Sequence, residues 1–374
     1  MRGTAEFQVP MLVTSTPDDL IKQSHPIRRI RPVVERVLEQ MEPTFAAMYS
    51  RRGRPSVAPE FLLKATILMA LFSVRSERQF CEQLRYNLLF KWFLNMNIDD
   101  QPFDHSSFSK NRDRLLQHDV ASAFFHAVYE QAQLQQYTSD EHFSVDGTLV
   151  QAWASMKSVR PIEEGKDGPH DTNGWLDQGQ GGRNPHVNFR GQRRKNDTHR
   201  STTDPEAMLA RKGNGQPAVL GYTVHALMEN RNGLITDIEL TRATGRAELD
   251  TAERLLRRRQ KKRKGRRATV GGDKGFDNKD FVRHCREMGI TPHVAQNTET
   301  PGGSAIDGRT TRHVGYKVSQ RKRKRIEEIF GWAKTVGGTR KLRLIGQACN
   351  GAWVMMMAAS YNLVRMSKLQ LQIG

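Results

Sequence analysis

The chain of 374 residues carries 59 Lys and Arg against 40 Asp and Glu, and the net charge of +19 favours a polyanionic partner, most simply nucleic acid. A ribosomal or structural protein would show the same excess, so charge points to a class of partner and to no mechanism. Three scattered cysteines, Cys81, Cys285 and Cys349, with no CxxC pair argue against a zinc ribbon or a disulfide framework and fit a reducing cytoplasm.

Residues 1–19 lack the apolar core of a secretory signal. The most apolar run, 61–74, carries Lys64 and is too short to span a bilayer. A cytoplasmic protein with no membrane partner is therefore expected. Residues 1–140 read as a helical N-terminal region. The run "APEFLLKATILMALFSV" has no interior Gly or Pro and is apolar nearly all round, which predicts a buried helix. Ser76 followed by Gln79 resembles a capping box for the next helix. In "DHSSFSKNRDRLLQ", Asp104 is a plausible N-cap, and the helix behind it reads either as an amphipathic surface helix or as a DNA-contacting one.

The character changes at "EHFSVDGTLVQAWAS", where short alternating apolar residues predict a strand carrying Asp146. From about 156 to 217 the chain is rich in Gly, Asn, Asp, Arg and Gln and shows neither helical nor strand period, which predicts a long loop insertion. Two alternating runs then flank "NRNG", a hairpin signal. A helix over 246–265, a short strand ending in Gly-Gly-Asp273, a helix, a strand and a helix over "RKRKRIEEIFGWAK" follow. That order predicts a mixed sheet with helices on both faces, spanning about 141–370.

An acidic residue in an apolar strand is unusual, because burying an unpaired carboxylate is costly. Asp146 and Asp273 each read singly as strand-end turn residues, but together with a glutamate on a basic helix they read as a set. Two glutamates compete for that third place. At about 100° per residue, Ile326, Ile329, Phe330 and Ala333 share one face, and Glu327 projects from its shoulder beside Arg323 and Lys334. Glu328 points to the far side, toward water.

Asp146, Asp273 and Glu327, with "DGT" around the first and "GGDKGFD" around the second, resemble a DDE transposase. The glutamate helix is similar to the insertion-sequence signature Tyr-x2-Arg-x3-Glu-x6-Lys, matched at Arg323, Glu327 and Lys334, with Gln320 at the tyrosine position. The blocks "HRSTTDPEAMLARKGNG", "YTVHALMENRNGLITD", "AASYNLVRM" and, near the N-terminus, "RRGRPSVAPEFLLKATILMAL" resemble the insertion sequence five family in particular. The likeness covers nearly the whole chain.

The resemblance implies a ribonuclease H-like catalytic domain preceded by a helical domain that binds DNA ends. It implies cleavage at the 3′ ends of a mobile element and attack of those hydroxyls on target DNA. Asp146, Asp273 and Glu327 would be catalytic metal ligands for two Mg²⁺ ions, for which Mn²⁺ substitutes; Arg323 and Lys334 would bind DNA phosphate. The implied partners are double-stranded DNA, as terminal inverted repeats and target, and a second copy of the chain in the synaptic complex. The implied setting is the bacterial nucleoid.

A structure-selective nuclease on the same fold, and a non-catalytic relic that keeps the basic surface, are the rival readings. Elsewhere, Asp277 reads as a turn residue before a metal ligand, and His142 and His225 as structural. Residues 257–267 read as a solvated face or a DNA-backbone contact, and Trp332 as partly buried or base-stacking. "STTDPE" reads as a turn toward the active site or DNA.

Overall fold

The computed structural model describes residues 16–49, 56–162, 194–213, 215–262, 266–299 and 302–373. Helices come first: α1 Pro17–Leu20, α2 Ile27–Gln40, α3 Glu42–Met48, α4 Pro59–Leu71, α5 Glu77–Leu84, α6 Leu88–Phe93, α7 His105–Gln117 and α8 Val120–Leu134. Helix α4 starts on Pro59, whose fixed φ suits a first turn, and is buried almost all round as its composition predicts. Its one buried cation, Lys64, is offset by Glu35 of α2 at 3.6 Å. The Ser76 hydroxyl accepts the Gln79 N–H at 3.1 Å, while the Gln79 side chain takes the N–H of Arg75, one residue earlier than a capping box requires. Asp104 caps α7 by accepting the Ser106 N–H at 2.7 Å. That helix buries Phe108 and Asn111 and ties Ser109 and Arg112 to Glu77 of α5.

The strands are β1 His142–Gln151, β2 Val159–Pro161, β3 His199–Ser201, β4 Met208–Ala210, β5 Val219–Glu229, β6 Ile235–Arg242, β7 Ala268–Gly272 and β8 Ile290–Val294. The main sheet runs β4-β5-β1-β7-β8, with β6 also paired to β5. Strands β5 and β6 run antiparallel to their neighbours toward β1, whereas β7 and β8 continue the sheet in parallel. Three antiparallel strands followed by two parallel ones, with helix crossovers, is the ribonuclease H-like arrangement. The remaining helices are α9 Ala247–Lys262, α10 Lys279–Glu287, α11 Gly308–Thr311, α12 Val314–Lys322, α13 Ile326–Thr335 and α14 Gln347–Ile373.

Alternation along β1 sorts its side chains between two cores. Phe143 and Val145 join the cluster made with α9 and α10, while Val150 joins the cluster shared with α13, α14 and the N-terminal helices. That second cluster is continuous from α2, α4 and α8 to β5 and β6, so the helical region and the sheet share a core. Helix α14, absent from the predicted elements, binds the two together. It packs on α8, β6 and α4, and Asn362 pairs its side chain with the N–H and C=O of Ile235, each at 2.9 Å.

Two expectations are corrected. The basic helix over 321–334 is not continuous: α12 ends at Lys322, a tight turn covers Arg323–Arg325, and α13 begins at Ile326. The side chains of this turn are drawn apart, Arg323 over β7 and Arg325 to the carbonyls of Asn230 and Arg231 at 3.4 and 3.3 Å. The 156–217 insertion is not structureless where it is described. Strands β2 and β3 pair with each other, and β4 adds to β5. Three-residue strands are too short to print a period, and pairing makes them, β2 and β3 with each other across the insertion and β4 with the strand that follows it. Residues 163–193 of that insertion lie outside the described residues. Among the described residues, no helix is long and apolar enough to cross a membrane.

Candidate active site

Strand β1 outruns its parallel neighbour. The last pair of the β1–β7 ladder is Ser144 opposite Gly271. Two residues on along each strand stand Asp146 and Asp273, so the parallel register sets them side by side where β7 ends. Ala152 gives its N–H to Leu220, so by antiparallel alternation the odd-numbered N–H groups of β1 point away from β5. The Gly147 N–H therefore faces the edge that β7 has left, and the Asp146 carboxylate takes it at 2.7 Å.

Burial is the largest influence on Asp146 and pushes its carboxyl up to about 7; the Gly147 hydrogen bond opposes this, Asp273 and Glu248 add to it, and Arg323 opposes it. Glu248, the second residue of α9, was not among the residues singled out by sequence. It is half-buried, and burial together with Asp273 raises its proton affinity against a hydrogen bond from the same Gly147 N–H. A Cβ on Gly147 would lie 2.8 Å from Glu248 Oε1 and 3.1 Å from His225 Nδ1, so a side chain there would push the Glu248 carboxylate aside. An acidic residue in the first turn of a helix is common, and nothing in its sequence setting distinguishes Glu248.

From the other face come the basic residues. Lys334 of α13 donates to Thr148 Oγ1 at 2.6 Å. Burial, Lys212 and Arg340 hold its ammonium below the ordinary lysine range, and Asp146 opposes them. Arg323 donates its Nε–H to Gln320 at 2.9 Å, and Gln320 in turn donates to the His293 carbonyl at 2.6 Å. The glutamine at the signature's tyrosine position thus ties Arg323 to β8.

The helix phase holds within α13: Ile326, Ile329, Phe330 and Ala333 are buried. Trp332 packs edge-on against Tyr361 of α14, and Glu328 acts on the same tyrosine, so that flank belongs to α14. Lys334 marks the opposite flank, toward β1, and Glu327 shares its direction. Glu327 is exposed and makes no hydrogen bond or ion pair among the described residues. The fold thus gathers Asp146, Asp273, Arg323 and Lys334 and leaves Glu327 at the rim.

Among the described residues, no three carboxylate, imidazole or thiol side chains stand tightly enough together to grip a metal as they are. The donor set nevertheless suits a hard divalent cation: its members are carboxylate oxygens, and their mutual repulsion is what a cation would relieve. Asp277 instead holds the backbone N–H groups of Asn297 and Ala305 at 2.6 and 2.9 Å, as a turn residue does. His225 is buried with Nε2 2.8 Å from Thr241 Oγ1. In "STTDPE", Asp204 is fully buried and accepts the Tyr222 hydroxyl at 2.7 Å, so it points into the core and not to the site.

Comparison with known proteins identifies the family. Residues 15–114 match the family described as a transposase domain (DUF772), and residues 183–363 match the transposase DDE domain. The second match contains Asp273 and Glu327; Asp146 falls between the two. No curated protein matches the chain. Among solved structures, the piggyBac transposase synaptic complex with hairpin DNA is similar at 11% identity, covering 93% of this chain and 76% of that one, with a TM-score of 0.43. The pre-cleavage Mos1 transpososome is also 11% identical, covering 84% of this chain and 80% of that one, with a TM-score of 0.20. With transposase domains matched over its helical part and over most of its sheet, the chain belongs to the DDE transposases, enzymes that cleave DNA and transfer the cut strand.

Proposed function

We propose that this enzyme is a transposase of the insertion sequence five type, cutting the 3′ ends of its element and joining them to target duplex with Mg²⁺. The observation that carries this reading is the register of Ser144 opposite Gly271, which sets Asp146 beside Asp273 at the open end of the sheet. Asp146, Asp273 and Glu327 would hold the metal; a divalent pair, when bound, activates the attacking oxygen and stabilises the leaving one. Arg323 and Lys334 would take the phosphates flanking the scissile bond, and the Thr148 hydroxyl keeps the Lys334 ammonium aimed at β1. The helical region, 1–140, would bind the element ends, and two copies of the chain would hold two ends together.

The test separates neighbouring glutamates. Glu327→Gln removes a charge from the metal site on the β1 flank, and a loss of about 4 kcal/mol of transition-state stabilisation slows single-turnover cleavage roughly a thousandfold. Glu328→Gln alters an exposed charge on the α14 flank and should leave the rate unchanged. A dead Glu328 variant beside an active Glu327 variant would refute the assignment.

A further inference from the structure

Helix α12 is tied to the sheet by one face and bare on the other. We propose that the bare face, Val314 and Val318 among Lys317, Arg321 and Lys322, lies in the major groove of the target duplex, where the valines select sequence by meeting thymine methyl groups. This rests on the reading of Asp146 and Asp273 as the site of joining.

The inner face is fixed to β8. Ser319 is buried with its hydroxyl 2.6 Å from His293 Nδ1, and the Tyr316 hydroxyl donates to the Val294 carbonyl at 2.9 Å. Gln320 donates to the His293 carbonyl. These contacts make the helix a rigid platform that binding need not order.

At about 100° per residue, Val314 and Val318 stand about 40° apart in the middle of the outer face. Lys317 falls about 60° to one side of Val314 and Lys322 about 80° to the other, with Arg321 between Lys317 and Val314. Val314 is 77% exposed and Val318 36%. Valine is a poor helix former, so helix stability gives no reason for an exposed pair one turn apart. Arg321 and Lys322 suit a helix C-terminus, but Lys317 sits in mid-helix. None of these cations makes an ion pair among the described residues, and from Gly308 to Ile326 the chain has no Asp or Glu to supply one.

The major groove, about 12 Å wide, admits a helix whose flanks reach phosphates on its walls while its centre reaches base edges. Among the bases only thymine presents a methyl group there. A second copy of a chain with a net charge of +19 is repelled by such a face, whereas a phosphate backbone complements it.

Position on the sheet singles out the target. The core of the helical region runs into β5, β6 and β1, while β7 and β8 belong to the other cluster. An element end held by the helical region therefore reaches Asp146 and Asp273 from the β5 side. Helix α12, packed on β7 and β8, stands beyond them, on the side left for the duplex to be joined.

The experiment joins pre-cut element ends, each with a free 3′ hydroxyl, to a random-sequence duplex with the full chain and Mg²⁺, and the joints are sequenced. Wild type should favour thymine at fixed positions beside the joint, by roughly fourfold for each methyl buried. A target built with uracil in place of thymine lacks only the methyl and should lose the bias. The double variant Val314→Ser, Val318→Ser should lose it on the thymine target, with its fold checked by thermal melting. Lys317→Gln should instead weaken joining to all sequences alike.

A bias that survived both uracil and the serines, or joints without thymine bias, would overturn the inference alone. So would serine variants that altered cleavage of uncut ends and left target choice as it was. If wild type joined no pre-cut ends, the reading of the site would fail with it.

Discussion

In chelator, Asp146→Asn should make the protein more stable, and only at pH values where the native carboxylate is charged. Asn keeps the acceptor that takes the Gly147 N–H, so the change removes charge and little else. In the fold, burial and the neighbouring Asp273 and Glu248 lift the Asp146 carboxyl from 3.8 to about 7. A raised carboxyl favours the folded state fully below the unfolded value, and that advantage is lost as pH rises through the folded value. Wild type should therefore lose stability between about pH 4 and pH 7, and the variant should not lose this part.

At about 1.4 kcal/mol per unit the shift corresponds to roughly 4 kcal/mol, or on the order of 5–10 °C in melting temperature. The assay is thermal unfolding of both proteins in EDTA at pH 4.5 and pH 8, then at pH 8 with Mg²⁺. The variant should melt higher at pH 8, the gap should nearly close at pH 4.5, and Mg²⁺ should raise wild type alone. A gap of equal size at both pH values, or a wild type that outlasts the variant in EDTA at pH 8, would show that Asp146 carries no such electrostatic stress.

Three further outcomes follow from other parts of the molecule. Gly221→Ala would place a Cβ 2.2 Å from the Val150 carbonyl oxygen, so the β1–β5 ladder must shift; a loss of about 3 kcal/mol in denaturant unfolding is expected, and a loss under ~1 kcal/mol would contradict the register. Binding to non-specific duplex should fall steeply with salt, as the net charge of +19 requires, and a flat response between low and moderate salt would count against broad phosphate contact. Lys334→Met keeps the apolar stem and removes the ammonium held by Thr148; it should lower the salt slope by about one, and an unchanged slope would mean that Lys334 meets no phosphate.

Much of the site was legible in the chain because its signals are local. Alternation marks β1, and a carboxylate in an apolar strand marks Asp146. The spacing of Ile326, Ile329, Phe330 and Ala333 phases α13 and turns Lys334 toward β1, which the structure bears out. The "NRNG" turn announces the β5–β6 hairpin. In each case the signal is local, at separations of two to four residues, where backbone geometry repeats and side-chain periods record which face is buried.

What the chain does not carry is how elements meet. At the break over Arg323–Arg325 one arginine lies over β7 and the other reaches the β5–β6 turn, an arrangement no helical period anticipates. Strands β2 and β3 exist through partners far along the chain, and three-residue β4 exists only by pairing onto β5. Helix α14, apolar on much of its surface, gives no phase until the sheet and α8 are there to receive it.

The same holds at the active site. Sequence marked Asp146 within one apolar strand and Asp273 at the end of another, and it drew Glu327 into their company by motif; its strand-end reading of Asp146 gives way to a place in the middle of β1. Tertiary structure alone decided that Glu248 stands beside them and that Glu327 remains at the rim. Convergence of side chains is set by strand register and by the packing of α9 on β1, which bring together residues far apart in the chain and leave no period in the sequence.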